Sequence, residues 1–107
     1  MTYRVTILPR AKRQLLEQAL WWCENRSADQ AYRWLSGFEQ ALASLAKDPR
    51  RCSRARETSA FDFEVRELHY GLRTKATHRA VFEIRSQEVI VYSIRHLAQR
   101  DLDPNYL

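Results

Sequence analysis

The chain is poor in the residues that punctuate or loosen a fold. Its 107 residues include only two glycines, three prolines and two cysteines. So little Gly and Pro excludes a low-complexity or linker-rich chain. Two glycines also cannot build a Gly-rich phosphate loop, and no nucleophile elbow is present. Long apolar runs are missing too. The most apolar stretches, Ala19–Cys23 and Val89–Tyr92, fall far short of the roughly 20 residues that cross a bilayer. The first residues, Met1–Leu8, lack the charged start, long apolar centre and small-residue exit of a signal peptide. A soluble, cytoplasmic protein with no membrane association is therefore expected.

The scarcity of cysteine carries its own exclusions. Cys23 falls on a helical pattern beside Trp22, where an inert buried thiol is expected. Cys52 sits among arginines that would lower its pKa. A disulfide is not expected in a reducing compartment. The spacing of Cys23, Cys52, His69, His78 and His96 matches no zinc signature, so neither metal nor cofactor is expected.

Acid is missing where base is plentiful. The formal net charge is +5, and residues 50–56 hold four arginines and no acid. Arg66, Arg73, Lys75, Arg79, Arg85, Arg95 and Arg100 follow. A basic half points to a polyanionic or acidic partner, whether nucleic acid, ribosome or acidic protein segment. The plain alternative is a solvated cationic surface. Hydrophobic residues at 45% and aromatics at 11% suffice for one core, so one domain over 1–107 is expected.

Periodicity predicts the elements. Tyr3, Val5 and Ile7 alternate with polar residues as a short strand ended by Pro9. Ala11, Leu15, Leu16, Ala19, Leu20 and Cys23 recur at helical spacing from Arg10 to about Glu24. Ser27 with Gln30 reads as a cap opening a second helix to about Lys47. That helix has an apolar face of Ala31, Trp34, Leu35, Phe38, Leu42 and Leu45. Trp21 and Trp22 lie about 100° apart on the first helix, so at least one is expected to be partly exposed. A strand is predicted from Phe61 through Phe63 and Val65 to about His69. Two more follow at Arg79–Arg85 and Glu88–Ile94, joined at Ser86-Gln87. Val89 and Val91 are expected on one face of the last strand, with Ile90, Tyr92 and Ile94 on the other. The order β-α-α-β-β-β implies an α+β fold: a helical hairpin on one face of a small, mainly antiparallel sheet. The other face, carrying Arg66, Arg79, Val81 and Glu83, is expected to be polar and open for binding.

Metal-free chemistry on RNA needs a proton acceptor, a cation for the phosphate and an acid for the leaving oxygen. Glu64, Arg66, Glu67, His69, His78, Arg79, His96 and Arg100 supply those residue types. Equally, they are what the polar side of any amphipathic strand presents.

The strand Thr77-His-Arg-Ala-Val-Phe-Glu-Ile84, the run Val89–Ile94 and the closing Arg95-His96-x-x-x-Arg100-Asp101 resemble the RelE/ParE toxin superfamily of type II toxin–antitoxin modules, also called plasmid stabilisation proteins. The element order matches over nearly the whole chain, and specific residues match over about 63–102. The resemblance implies growth inhibition, either by ribosome-dependent mRNA cleavage (RelE branch) or by non-enzymatic poisoning of DNA gyrase (ParE branch). For a nuclease it implies catalytic roles for Arg79, His96, Arg100 and Glu67, with Glu64 as an alternative carboxylate and Tyr106 paired with Arg100. The first meander strand, Glu64-Val65-Arg66, lacks the basic pair of the nuclease branch, which favours the ParE branch. For binding, Arg66, Arg73, Lys75, Arg79, Arg95 and Tyr106 are the candidates. The implied partners are a cognate antitoxin whose acidic segment wraps the toxin, and gyrase or the ribosome with mRNA as target. A homodimer or a toxin–antitoxin hetero-oligomer is the implied assembly. A non-toxic basic domain that binds nucleic acid or protein is the reading from another class.

Overall fold

The element order follows the periodicity. The computed structural model describes residues 2–106, except for the side chain of Tyr106, so that candidate residue lies outside the described side chains. β1 (Arg4–Ile7) leads into α1 (Pro9–Asn25) and α2 (Ala28–Ala43). A meander of β2 (Arg66–Tyr70), β3 (His78–Arg85) and β4 (Glu88–His96) follows. The sheet order is β1-β4-β3-β2. β1 runs parallel to β4, from Arg4 opposite Glu88 to Ile7 opposite Val91. The other two pairings are antiparallel. This is the expected α+β architecture.

Local chemistry sets the boundaries. Pro9 occupies the first turn of α1, where its missing N–H costs nothing. Ser27 Oγ accepts the Gln30 N–H at 3.1 Å and caps α2 as its spacing suggests. The α2 pattern was expected to reach Lys47, but the α-helix stops at Ala43 and tightens into a 3-10 turn over Ser44–Ala46. Ser44 Oγ donates to the Ala41 carbonyl at 2.6 Å, competing with the backbone ladder. The tighter turn keeps Leu45 fully buried.

Both helices pack on one face of the sheet. Ala11, Leu15, Ala19, Trp34, Phe38, Leu42 and Leu45 meet Leu68, Ala80, Phe82, Val89 and Val91 there. Close approach is possible because Gly37 leaves room. A Cβ at that position would lie 2.2 Å from the Tyr70 hydroxyl, which donates to the Trp34 carbonyl at 2.9 Å. Three residues read into the α1 core stripe do not join it. Leu16 is 60% exposed, Leu20 is 57% exposed, and Cys23 is also exposed. The fully buried stripe of α1 is the Ala11-Leu15-Ala19 line, flanked by Gln14, Gln18 and Trp22, and Leu16, Leu20 and Cys23 lie outside it.

A bulge resets the alternation of β4. Phe82 pairs with Val91 but Val81 pairs with Ser93, so Tyr92 is extra. Ile94 therefore joins Val89 and Val91 in the helix-side core, not Ile90 and Tyr92 as strict alternation required.

The second face is not open. Residues 53–65 cross it as a strap with one 3-10 turn at Thr58–Ala60, and β2 begins at Arg66 rather than Phe61. Phe61, Phe63 and Val65 do alternate, but in a segment anchored by Ala55 N–H to the Val65 carbonyl (2.8 Å) and Glu67 N–H to the Ser53 carbonyl (3.0 Å). Ala55, Phe61, Val65 and Leu102 cover Val81, Ile90 and Tyr92, forming a second small core. The central strands β3 and β4 are thus buried on both sides, and their polar residues there need hydrogen-bond partners from the protein.

Candidate functional site

Alternation along β3 and β4 divides the charged residues between the two faces. Arg79 lies opposite Arg95, and His78 lies opposite His96. The arginines project toward the covering segment and the histidines toward the helices.

On the covered face, Arg79 is 1% exposed and Glu57 is 2% exposed. Arg79 Nη1 donates to Glu57 Oε1 at 2.7 Å and to Glu67 Oε1 at 3.1 Å, and Nη2 donates to Glu57 Oε2. Glu57 Oε2 also accepts the Leu102 N–H at 2.8 Å. Burial alone would push the Glu57 carboxyl up, but the Arg79 hydrogen bonds and the Leu102 N–H outweigh it and hold the group below the usual carboxylate range. Burial likewise works against the Arg79 charge, and the Glu57 contacts more than offset it. Both terminal nitrogens of the buried guanidinium are taken up by carboxylates, two of the contacts forming a fork-to-fork pair with Glu57, while Nε has no partner among the described residues. The second oxygen of Glu67 contacts His69 Nε2.

Arg95, 7% exposed, has no carboxylate partner among the described residues. Its Nη1 donates to Ser93 Oγ at 3.2 Å and its Nη2 to the Arg100 carbonyl at 2.6 Å. The same tail is held by Arg56, which donates to the Gln99 carbonyl at 2.7 Å and pairs with Asp101 at 2.7 Å.

On the helix face, the His78 ring meets the Trp34 ring at 5.1 Å and the His96 ring at 5.1 Å. His78 Nε2 lies 3.1 Å from Gln18 Oε1, and Nδ1 lies 2.8 Å from Thr77 Oγ1. A neutral ring satisfies both contacts, with Nε2–H donating and Nδ1 accepting from the threonine. Burial, with the neighbouring His96 adding to it, pushes the His78 pKa down to about 4. His96 is exposed, and its Nδ1 accepts the Ala98 N–H at 3.0 Å. Both imidazoles, with Trp21 and Trp22, line a cleft of about 370 Å³.

The sequence-derived candidates therefore fall into separate places. Arg79 and Glu67 are together, beneath the covering segment. Arg95 neighbours them, while the Arg100 side chain is exposed nearby. His96 lies on the opposite face. Arg66 is engaged elsewhere: Nη1 donates to the Cys52 carbonyl at 2.5 Å and Nη2 pairs with Glu64 at 3.0 Å. Arg73 and Lys75 are exposed beside Arg26 and Leu72. Cys52 is buried, and burial pushes its thiol up despite Arg51 and Arg66. Among the described residues no group of three metal-ligating side chains assembles, and no helix is long and apolar enough to cross a membrane. Sequence reading missed Glu57. Its signal was present as the first acid after the arginine-rich run 50–56.

Comparisons agree with this architecture. A solved chain from a chromosomal ParDE toxin–antitoxin system of P. aeruginosa superposes with a TM-score of 0.72 at 14% identity, covering 89% of this chain and 96% of that one. A mutant of the E. coli toxin RelE in its free state superposes at 0.57, also at 14% identity, covering 92% of this chain and 86% of that one. No curated protein matches the sequence significantly. The model of the ParE toxin of type II toxin–antitoxin systems matches residues 5–101. That match spans most of the chain, which therefore belongs to the ParE toxin family of type II toxin–antitoxin systems.

Proposed function

We propose that this ParE-like toxin acts by binding an essential target, DNA gyrase, and that a cognate antitoxin with an acidic segment neutralises it. The observation that carries this reading is the burial of Arg79 between Glu57 and Glu67. In a metal-free nuclease this strand arginine would have to meet the scissile phosphate. Here it is consumed by carboxylates, and His96 projects from the other side of the sheet. The separation of cation and imidazole supports recognition over catalysis.

The surface supports it as well. Leu16, Leu20 and Trp21 are exposed on α1 and Tyr32 on α2, giving apolar contacts for a macromolecular partner. The net charge of +5 suits acidic segments.

Induced expression tests the reading. Gyrase-catalysed supercoiling should be inhibited by purified protein, and transcripts in induced cells should keep intact 5′ ends. Transcripts cut within translated codons, with gyrase unaffected, would instead establish the mRNA endonuclease. Normal growth with folded protein present would remove the toxin reading altogether.

A further inference from the structure

Arg95 is a buried cation without a counter-charge, and two more unpaired arginines converge on it. A cavity of about 360 Å³ lies between the first turn of α1 and the tail after β4, lined by Arg10, Arg95 and Arg100 together with Asp101 and Asp103. Among the described residues, none of the three arginines pairs with a carboxylate. Both acids are already engaged: Asp101 with Arg56 at 2.7 Å, and Asp103 Oδ1 with the Asn105 N–H at 2.9 Å. Arg95 is fixed in place by Ser93 Oγ and the Arg100 carbonyl, and its Nε hydrogen bonds to nothing among the described residues.

The surroundings add to the positive potential. Arg10 sits on the first turn of a 17-residue helix whose N-cap, Leu8, offers no side-chain acceptor. The positive end of the helix dipole therefore lies at the cavity. Burial, and then Arg79 alongside, disfavour the charge on Arg95, so an anion arriving there would relieve a standing electrostatic cost.

We infer that the Arg10–Arg95–Arg100 cavity is an oxyanion pocket that receives an Asp or Glu carboxylate from the antitoxin. The choice of a carboxylate follows from the lining. Counting the Arg56 that already pairs with Asp101, four arginines face two aspartates, a small positive excess that suits a single carboxylate better than a polyanion. A phosphodiester strand would bring further charges against Asp101 and Asp103. Planar guanidinium groups engage a carboxylate with two parallel hydrogen bonds. This inference rests on the antitoxin partner proposed above.

The test uses the full chain and two probes, sodium acetate and inorganic phosphate, at constant ionic strength. The side-chain Nε–Hε resonance of Arg95 should shift saturably with acetate. In the double variant Arg10→Gln/Arg100→Gln that response should weaken at least fivefold. The Arg100 carbonyl that holds Arg95 is retained in this variant, and an unchanged urea midpoint establishes that it folds. Its affinity for the antitoxin encoded beside the toxin gene should fall at least tenfold. An Arg95 resonance unmoved by acetate, or antitoxin binding equal to wild type in the folded double variant, would overturn the pocket. Saturation by phosphate but not acetate would overturn the carboxylate assignment. Failure of the wild-type chain to bind the antitoxin, with acetate still bound, would overturn the partner and the toxin–antitoxin reading together.

Discussion

Arg79 and His96 lie on opposite faces of the same sheet. Arg79 is locked to Glu57 beneath residues 53–65, and His96 packs beside His78 at the helical side. Their separation follows from strand register: Arg79 pairs with Arg95, and His96 pairs with His78. Neighbouring positions on a strand point to opposite faces.

The ion pair sets the first expected outcome. Arg79→Met leaves the Glu57 carboxylate buried without its cation and should cost about 3–5 kcal/mol. Adding Glu57→Gln removes the stranded charge and keeps an oxygen for the Leu102 N–H, so most of the loss should return. Urea denaturation of the two variants and wild type checks this. Equal stability of single and double variants would contradict the pairing.

Stability should also depend on acid in two stages. His78 is held neutral, with a folded pKa of about 4 against 6.5 for the free side chain. A depressed pKa means that stability is fully present above the unfolded value and falls as pH drops from 6.5 toward 4. The loss is about 3 kcal/mol. Glu57, also depressed, contributes stability that is lost at still lower pH, as it protonates below the unfolded carboxylate value. Unfolding free energies measured from pH 8 to 3 should decline, and His78→Phe should flatten the part above pH 4.

The tail is fastened as much by packing as by charge. Leu102 is 5% exposed within the second core, and its N–H reaches Glu57. Leu102→Ala should cost about 2–4 kcal/mol. Its effect should be local: faster amide exchange at Ala55, Glu67 and Leu102, with little change at Phe38.

Gly37 is a close-approach residue. Gly37→Ala places a Cβ against the Tyr70 hydroxyl and should destabilise by about 1–3 kcal/mol through overpacking. Tyr70→Phe in the same chain should restore part of that loss, readable from urea midpoints.

Much of this architecture was legible because local patterns are strong. The Trp34-Phe38-Leu42 stripe, the Ser27 cap and the alternation Ala80-Phe82 each state their element without help from distant residues. The β4 bulge was not legible, because nothing local distinguishes Tyr92 as the extra residue. The covered outer face was missed for a related reason. Phe61, Phe63 and Val65 carry a strand's alternation, yet their role is fixed by long-range contacts with Val81 and Leu102. Arg79 and Glu67 could be picked out by residue type, but the partnership of Arg79 with Glu57 is a tertiary fact. Arg10 and Gln14 gave no signal. Gln14 Oε1 accepts the Ile94 N–H at 2.8 Å, a contact between residues distant in sequence.

The most direct measurement is toxicity of the Glu57→Gln/Arg79→Met double variant, expressed to the wild-type level and shown to be folded. Retained growth inhibition, with gyrase inhibition unchanged and transcripts intact, is the predicted result, since the Arg79 guanidinium is buried against Glu57 and Glu67. Loss of toxicity in a folded protein, together with loss of transcript cleavage that wild type performs, would contradict the account and return Arg79 to catalysis.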